Sequence, residues 1–224
     1  MKRGHIKRLG LFGGTFNPIH NGHLKVASEV SGFFSLDRVL FIPSRLPPHK
    51  PAWEIVSGED RLRMVELAIK GYPQFEASSI EVERPGPSYS ILTIKKIKQE
   101  YPVAEIFFLL GIDAFLEIKT WKDYDQVLRS CSFIVVSRPG FTLSQAAAVL
   151  GDEWKDRMIE VKKTSSIPRP SKADVLIFLF PMASLDISSS EIRRRLHEQE
   201  PVSGMLPEEV EKYIHRNKLY RDIP

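Results

Sequence analysis

The 224-residue sequence predicts a doubly wound α/β fold, a mostly parallel, Rossmann-like sheet with helices on both faces. Three observations carry this expectation. Strand-like apolar runs alternate with helix-periodic segments along the chain. The runs Ile106 to Leu110 and Phe133 to Val136 are continuously apolar, as strands covered on both faces must be. The first apolar run stops at a glycine pair and a helix pattern comes next.

Taken in order, Leu9 to Phe12 reads as a strand closed by Gly13-Gly14. Asn21 to Phe34 then carries Leu24, Ala27, Val30 and Phe34 at helical spacing. Val39 to Ile42 is a second strand, and a proline-rich loop leads away from it. Leu62, Val65, Leu67 and Ile69 lie in a helix that Ser57-x-x-Asp60 can cap. Ile80 to Val82 alternates with glutamates, and Tyr89 to Tyr101 reads as helix. The last third holds a Ser-, Pro- and Lys-rich stretch from Lys162 to Lys172, read as a surface loop. Val175 to Phe180 is a strand, and Ser188 to Glu198 and Pro207 to Arg216 are short helices. The expected organisation is a basic tail over residues 1–7 and a single domain over 8–224, with a small helical part at about 184–220.

Charge and cysteine usage narrow the class. Lys and Arg number 32 against 28 Asp and Glu, a net +4, yet Lys2, Arg3, Lys7 and Arg8 stand in the first eight residues with no acid beside them. The body is therefore neutral, which argues for a solvated tail and against a nucleic-acid-binding face. The single Cys131 cannot form an intrachain disulfide and precedes an apolar run, so a buried bystander in a reducing cytoplasm is expected. No apolar stretch approaches the roughly 18 residues of a membrane helix, and no secretory signal is evident.

In open α/β sheets ligands bind beyond the carboxyl ends of the strands, so the residues after Phe12, Ile42, Leu110, Val136 and Phe180 are where chemistry is sought. Neither G-x-G-x-x-G nor G-K-[ST] occurs. Directly after the first strand come Gly13, Gly14, Thr15, Phe16, Asn17, Pro18, Ile19, His20, Asn21, Gly22 and His23. Two glycines allow close backbone approach, and the helix start offers N–H groups and a dipole to an anion. His20 and His23 can both donate to phosphate oxygens there, with Gly22 keeping the space clear. Zinc fits poorly, because no third ligand accompanies the pair, and no metal ligands are assigned.

The other strand ends agree. Arg45, His49 and Lys50 sit on a proline-stiffened loop; Gly111 and Asp113 place an acid where a ribose hydroxyl or a metal-linked group could be held; Arg138 comes just after the Phe133 to Val136 strand. Ile187, Ser188, Ser189 and Arg193 open a helix: Ser188-x-x-Glu191 is a capping box with a structural explanation of its own, and the same start is a second anion site. No Ser, Cys or Lys nucleophile with an adjacent base stands out. Transfer of a phosphoryl or nucleotidyl group by positioning and charge stabilisation fits better, with Mg²⁺ held mainly by phosphates and water.

The stretch from Gly13 to Leu24 resembles the GG(T/S)FxPxHxGHL opening of the nucleotidyltransferases with an H-x-G-H motif. Ile187 to Arg193 looks like their downstream ISSTxIR segment. Pro47 to Lys50, Pro87 to Ser90, Gly111 to Asp113, Thr120-Trp121 and Ser137 to Gly140 occur in the order seen in the bacterial nicotinate-nucleotide adenylyltransferases. That resemblance implies a cytoplasmic enzyme of NAD biosynthesis. Its partners would be ATP and nicotinate mononucleotide and its products deamido-NAD and pyrophosphate, with no covalent intermediate, no nucleic acid or membrane partner, and room for a homo-oligomer. By resemblance, His20 and His23 stabilise the transition state. Gly13, Gly14, Thr15, Phe16, Gly111, Asp113, Ile187, Ser188, Ser189 and Arg193 hold ATP. Arg45, His49, Lys50 and Arg138 face substrate phosphates, Trp121 stacks on the pyridine ring, and Ser90 with nearby N–H groups recognises its carboxylate. Ser90 and Ser190 stand where threonine is usual; both keep a hydroxyl. The same chemistry on nicotinamide mononucleotide or another phosphorylated acceptor, and a non-catalytic nucleotide-binding module, are the alternatives.

Overall fold

The computed structural model describes residues 6–46, 55–137, 143–162, 175–182 and 187–221. The strands are β1 (Arg8–Gly14), β2 (Arg38–Pro43), β3 (Phe75–Ala77), β4 (Glu105–Gly111), β5 (Ser132–Val136), β6 (Met158–Glu160) and β7 (Ile177–Phe180). The helices are α1 (Asn21–Phe34), α2 (Gly58–Ile69), α3 (Ser90–Glu100), α4 (Ile112–Leu116), α5 (Tyr124–Leu128), α6 (Leu143–Leu150), α7 (Ser189–His197) and α8 (Glu208–Arg216). The strands form one sheet in the order β3-β2-β1-β4-β5-β7-β6. This is the doubly wound order the alternation predicts: the chain starts in the middle and crosses over outward in both directions. Among the described residues no helix is long and apolar enough to cross a membrane.

The chain falls into two compact units. The first comprises Met1–Phe12, Val30–Val39 and Tyr89–Ser184. In it β1 pairs in parallel with β4 (Leu9 with Ile106, Phe12 with Leu109), β4 with β5, β5 with β7, and β6 with β7. The continuous apolar runs are buried as their composition requires: Leu9, Leu11, Phe107, Leu109, Phe133 and Val135 have no exposed surface. One sheet face is closed by the end of α1, where Phe34 meets Phe178 edge-on at 5.1 Å and Phe33 lies 5.1 Å from Phe180. The Asp37 carboxylate accepts the N–H groups of Lys7 and Arg8, at 2.7 and 2.8 Å, fixing where β1 begins. Cys131 is buried, and burial pushes its thiol up to about 12, as befits an inert core residue.

The second unit comprises Gly13–Glu29, Leu40–Ser88 and Leu185–Pro224. Here Ser57 caps α2 as expected: its Oγ accepts from the Asp60 N–H at 3.0 Å and donates to the Asp60 carboxylate at 2.8 Å. The other Asp60 oxygen accepts from the Tyr213 hydroxyl on α8 at 2.8 Å. Ser57→Ala should therefore cost about 1 kcal/mol and lower the melting temperature by roughly 2–4 °C, read by thermal denaturation monitored by circular dichroism. The buried face of α2 is not the one its aliphatic residues suggest. Arg61, Met64, Val65, Ala68 and Ile69 are inside, while Leu62 and Leu67 are half-buried, because the Arg61 guanidinium finds acceptors in the interior.

Other departures lie at the edges. Ile80 to Val82 forms a turn, and the strand falls earlier, at Phe75–Ala77. Both outer strands, β3 and β6, have only three residues, too few for a periodicity of two to register. The stretch from Lys162 to Lys172, apart from Lys162 itself, and the first five residues of the tail lie outside the described residues.

Candidate active site

The turn after β1 is held from several sides within the second unit. Phe16 adopts a left-handed backbone (φ 47°), is 2% exposed, and packs 5.8 Å from Phe41 and edge-on to His23 at 5.1 Å. The Asn17–Pro18 peptide is cis. The Asn17 Oδ1 accepts from the Val56 N–H at 3.3 Å and from the Tyr220 hydroxyl at 3.0 Å, and the Asn17 carbonyl accepts from Arg193 Nη1 at 3.1 Å. The Pro18 carbonyl accepts from the Ser189 hydroxyl at 3.0 Å. Burial holds the Tyr220 phenol well above its ordinary pKa, so it remains a proton donor.

His20 and His23 come together as their spacing predicts. Their ring centroids are 3.7 Å apart with planes inclined at 34°. The His20 carbonyl accepts from the N–H groups of His23 and Leu24 and so starts α1, while the His20 N–H donates to His23 Nδ1 at 3.2 Å. A neutral imidazole that accepts at Nδ1 carries its proton on Nε2, which makes His23 Nε2 a hydrogen-bond donor. No acidic residue stands in the first turn of α1 to offset the helix dipole. The N–H groups on offer are fewer than the sequence implies, since Asn21 donates to the Met205 carbonyl and His23 and Leu24 to His20. Gly22 is required sterically: a Cβ there would stand 2.9 Å from His20 Nδ1 and 3.0 Å from its Cε1.

The start of α7 meets this turn. Ile187 presents its carbonyl 3.8 Å from the same Gly22 Cβ position, and Ser189 and Arg193 make the contacts just described. Ser188 is the N-cap, its Oγ accepting from the Glu191 N–H at 3.1 Å, so the capping-box explanation accounts for it. Three successive arginines divide their work. Arg194 is committed to Glu191, Glu198 and Glu200, and Arg195 to Glu191 and the Pro201 carbonyl. These hydrogen bonds hold the Glu191 carboxyl at about 2. Among the described residues Arg193 alone of the three has no carboxylate partner, and its buried Nε has no hydrogen-bond acceptor.

Arg45 is exposed and partly committed: its N–H donates to Ser88 Oγ at 2.8 Å and its Nη1 to the Val82 carbonyl at 2.9 Å. His49, Lys50 and Arg138 lie outside the described residues. In the first unit, Gly111 ends β4 and is the N-cap of α4 with no side-chain cap, and Asp113 is exposed in that helix's first turn. Trp121 is half-buried, its ring edge-on to Phe108 at 6.0 Å. Ser90 opens α3, whose start is likewise uncapped. Lys122, next to Trp121, lies 4.7 Å from the centroid of the Tyr89 ring, next to Ser90, and ties these two positions together.

Sequence reasoning missed Asn17, Tyr220 and above all Arg61, whose guanidinium donates to the carbonyls of Thr15 (2.8 Å), Ser44 (2.5 Å), Arg45 (3.1 Å) and Val56 (3.0 Å). The available signal was a charged residue in register with Met64, Val65 and Ala68 on one helix face.

Residues 11–195 match the cytidylyltransferase-like family model. A probable nicotinate-nucleotide adenylyltransferase from Pelobacter propionicus is 42% identical over 217 residues, covering 97% of this chain and 100% of the relative. One from Desulfatibacillum aliphaticivorans is 40% identical over 220 residues, covering 95% and 99%. The same architecture recurs in a Plasmodium falciparum nicotinic acid mononucleotide adenylyltransferase complexed with NaAD, with a TM-score of 0.72 at 20% identity over 96% of this chain and 97% of that one.

Proposed function

The chain belongs to the cytidylyltransferase-like family, and we infer that, like its relatives at about 40% identity over nearly full length, it is an adenylyltransferase of NAD biosynthesis. It transfers the adenylyl group of ATP to nicotinate mononucleotide, giving deamido-NAD and pyrophosphate. The observation that carries the chemistry is the His20–His23 pair at the start of α1, with a donor at His23 Nε2 and Arg193 on the adjoining helix start.

The phosphate of the mononucleotide attacks the α-phosphorus of ATP in line with the departing pyrophosphate. The attacking oxygen is already anionic, so no general base and no covalent enzyme intermediate are needed. His20, His23 and the α1 dipole stabilise charge developing on the transferred group, while Arg193, Ser188 and Ser189 hold the nucleotide. Gly13, Gly14, Thr15 and Phe16 shape the turn on which the phosphates rest. Gly111 and Asp113 take the ribose; Arg45, His49, Lys50 and Arg138 face substrate phosphates. Trp121 gives the pyridine ring a stacking surface, and Ser90 with the uncapped start of α3 receives its carboxylate. Mg²⁺ enters with ATP and neutralises phosphate charge.

Purified protein given ATP, Mg²⁺ and nicotinate mononucleotide should release pyrophosphate, faster than with nicotinamide mononucleotide at equal concentration. Absence of pyrophosphate release with either acceptor, or a preference for the amide, would overturn the assignment of the acceptor.

A further inference from the structure

Arg61 is 1% exposed, and among the described residues it makes four side-chain hydrogen bonds, each to a main-chain carbonyl. Those carbonyls belong to three separate segments: Thr15 in the turn after β1, Ser44 and Arg45 after β2, and Val56 before α2. Among the described residues no carboxylate hydrogen-bonds the guanidinium, and burial lowers its pKa from the ordinary arginine value against the opposing pull of Tyr220 and Glu59. A buried charge is an expensive way to gain stability, since well-packed apolar residues commonly do as well or better. What a guanidinium supplies that they cannot is a rigid fork that sets the distance between several carbonyls. One of the four, Thr15, adjoins Phe16, whose ring meets His23 edge-on at 5.1 Å.

We infer that Arg61 is a positioning residue for adenylyl transfer, which fixes the course of the turn after β1 relative to the loop after β2 and, through Phe16, the placement of His23. This rests on the adenylyltransferase reading. It concerns geometry, because Arg61 is enclosed by protein.

The test compares wild type with Arg61→Lys, which keeps the charge and loses the fork, and Arg61→Gln, each assayed well below its own melting temperature. Expected for Arg61→Lys is a fall in kcat of about 100-fold, the scale of a misplacement near 1 Å, with the KM for nicotinate mononucleotide changed less than about threefold. Affinity for α,β-methylene-ATP with Mg²⁺, measured by calorimetry, should fall about tenfold. A variant that loses only thermal stability while kcat and analogue affinity stay within about twofold would overturn the inference, and so would failure of both variants to fold. If wild type does not use nicotinate mononucleotide, the acceptor assignment falls by itself, and the affinity ratio for the ATP analogue still decides the role of Arg61.

Discussion

His23→Ala should lower kcat by about 10³-fold while shifting the melting temperature by only a few degrees. The His20 N–H donates to His23 Nδ1, so the proton of the neutral ring is on Nε2, and that N–H is the group the substitution removes. Loss of one donor aimed at charge that builds in the transition state costs about 10²–10³ in kcat. The upper end is expected here because the loss also releases two packing constraints, the 3.7 Å contact with the His20 ring and the edge contact with Phe16. KM for ATP should rise far less than kcat falls, since on the proposed mechanism the donor acts on charge that develops as pyrophosphate departs. Steady-state pyrophosphate release and a thermal melt on the same preparation check both halves. A loss under fivefold would mean that the histidines only bind nucleotide, which is the binding-module alternative.

Gly22→Ala should move stability and activity in opposite directions. Position 22 is the second residue of α1, where alanine is better than glycine by about 0.5–1 kcal/mol in an ordinary helix. A Cβ there, however, would stand 2.9 Å and 3.0 Å from two atoms of the His20 ring. That ring is 4% exposed and lies against His23, so it has little room to yield without moving its partner. The expected outcome is a kcat reduced at least tenfold with a melting temperature unchanged or slightly raised, because the displaced ring is one of the pair proposed to act on the transferred phosphate and the helix itself improves. Full activity in a folded Gly22→Ala variant would show that the pair tolerates rearrangement, and the tight geometry would lose its significance.

The central strands and the long helices were legible because each buries one unambiguous pattern: β4 and β5 a continuous run, α1 a spacing of three and four. The histidine pair was legible because only three positions separate the two, one just before α1 and the other in its first turn. The tether of the turn was not, since Asn17 meets Tyr220 across almost the whole sequence and Ser189 meets Pro18 across most of it. No local pattern encodes such a contact. Arg61 was hidden for a different reason: its partners are carbonyls, which every residue possesses, so nothing in the side-chain sequence names them. The short β3 and β6 are defined by neighbours in the sheet and carry almost no signal of their own.

The hydrogen bond from Tyr220 to Asn17 spans 203 positions of chain. At the usual 5–20 residues per second of synthesis, the ribosome makes the turn after β1 roughly 10 to 40 s before it makes the phenol that holds it. Helix α1 can form early, but the turn that leads into it waits for Tyr220. A nascent chain therefore carries His20 and His23 well before it carries the phenol that tethers the turn leading to them.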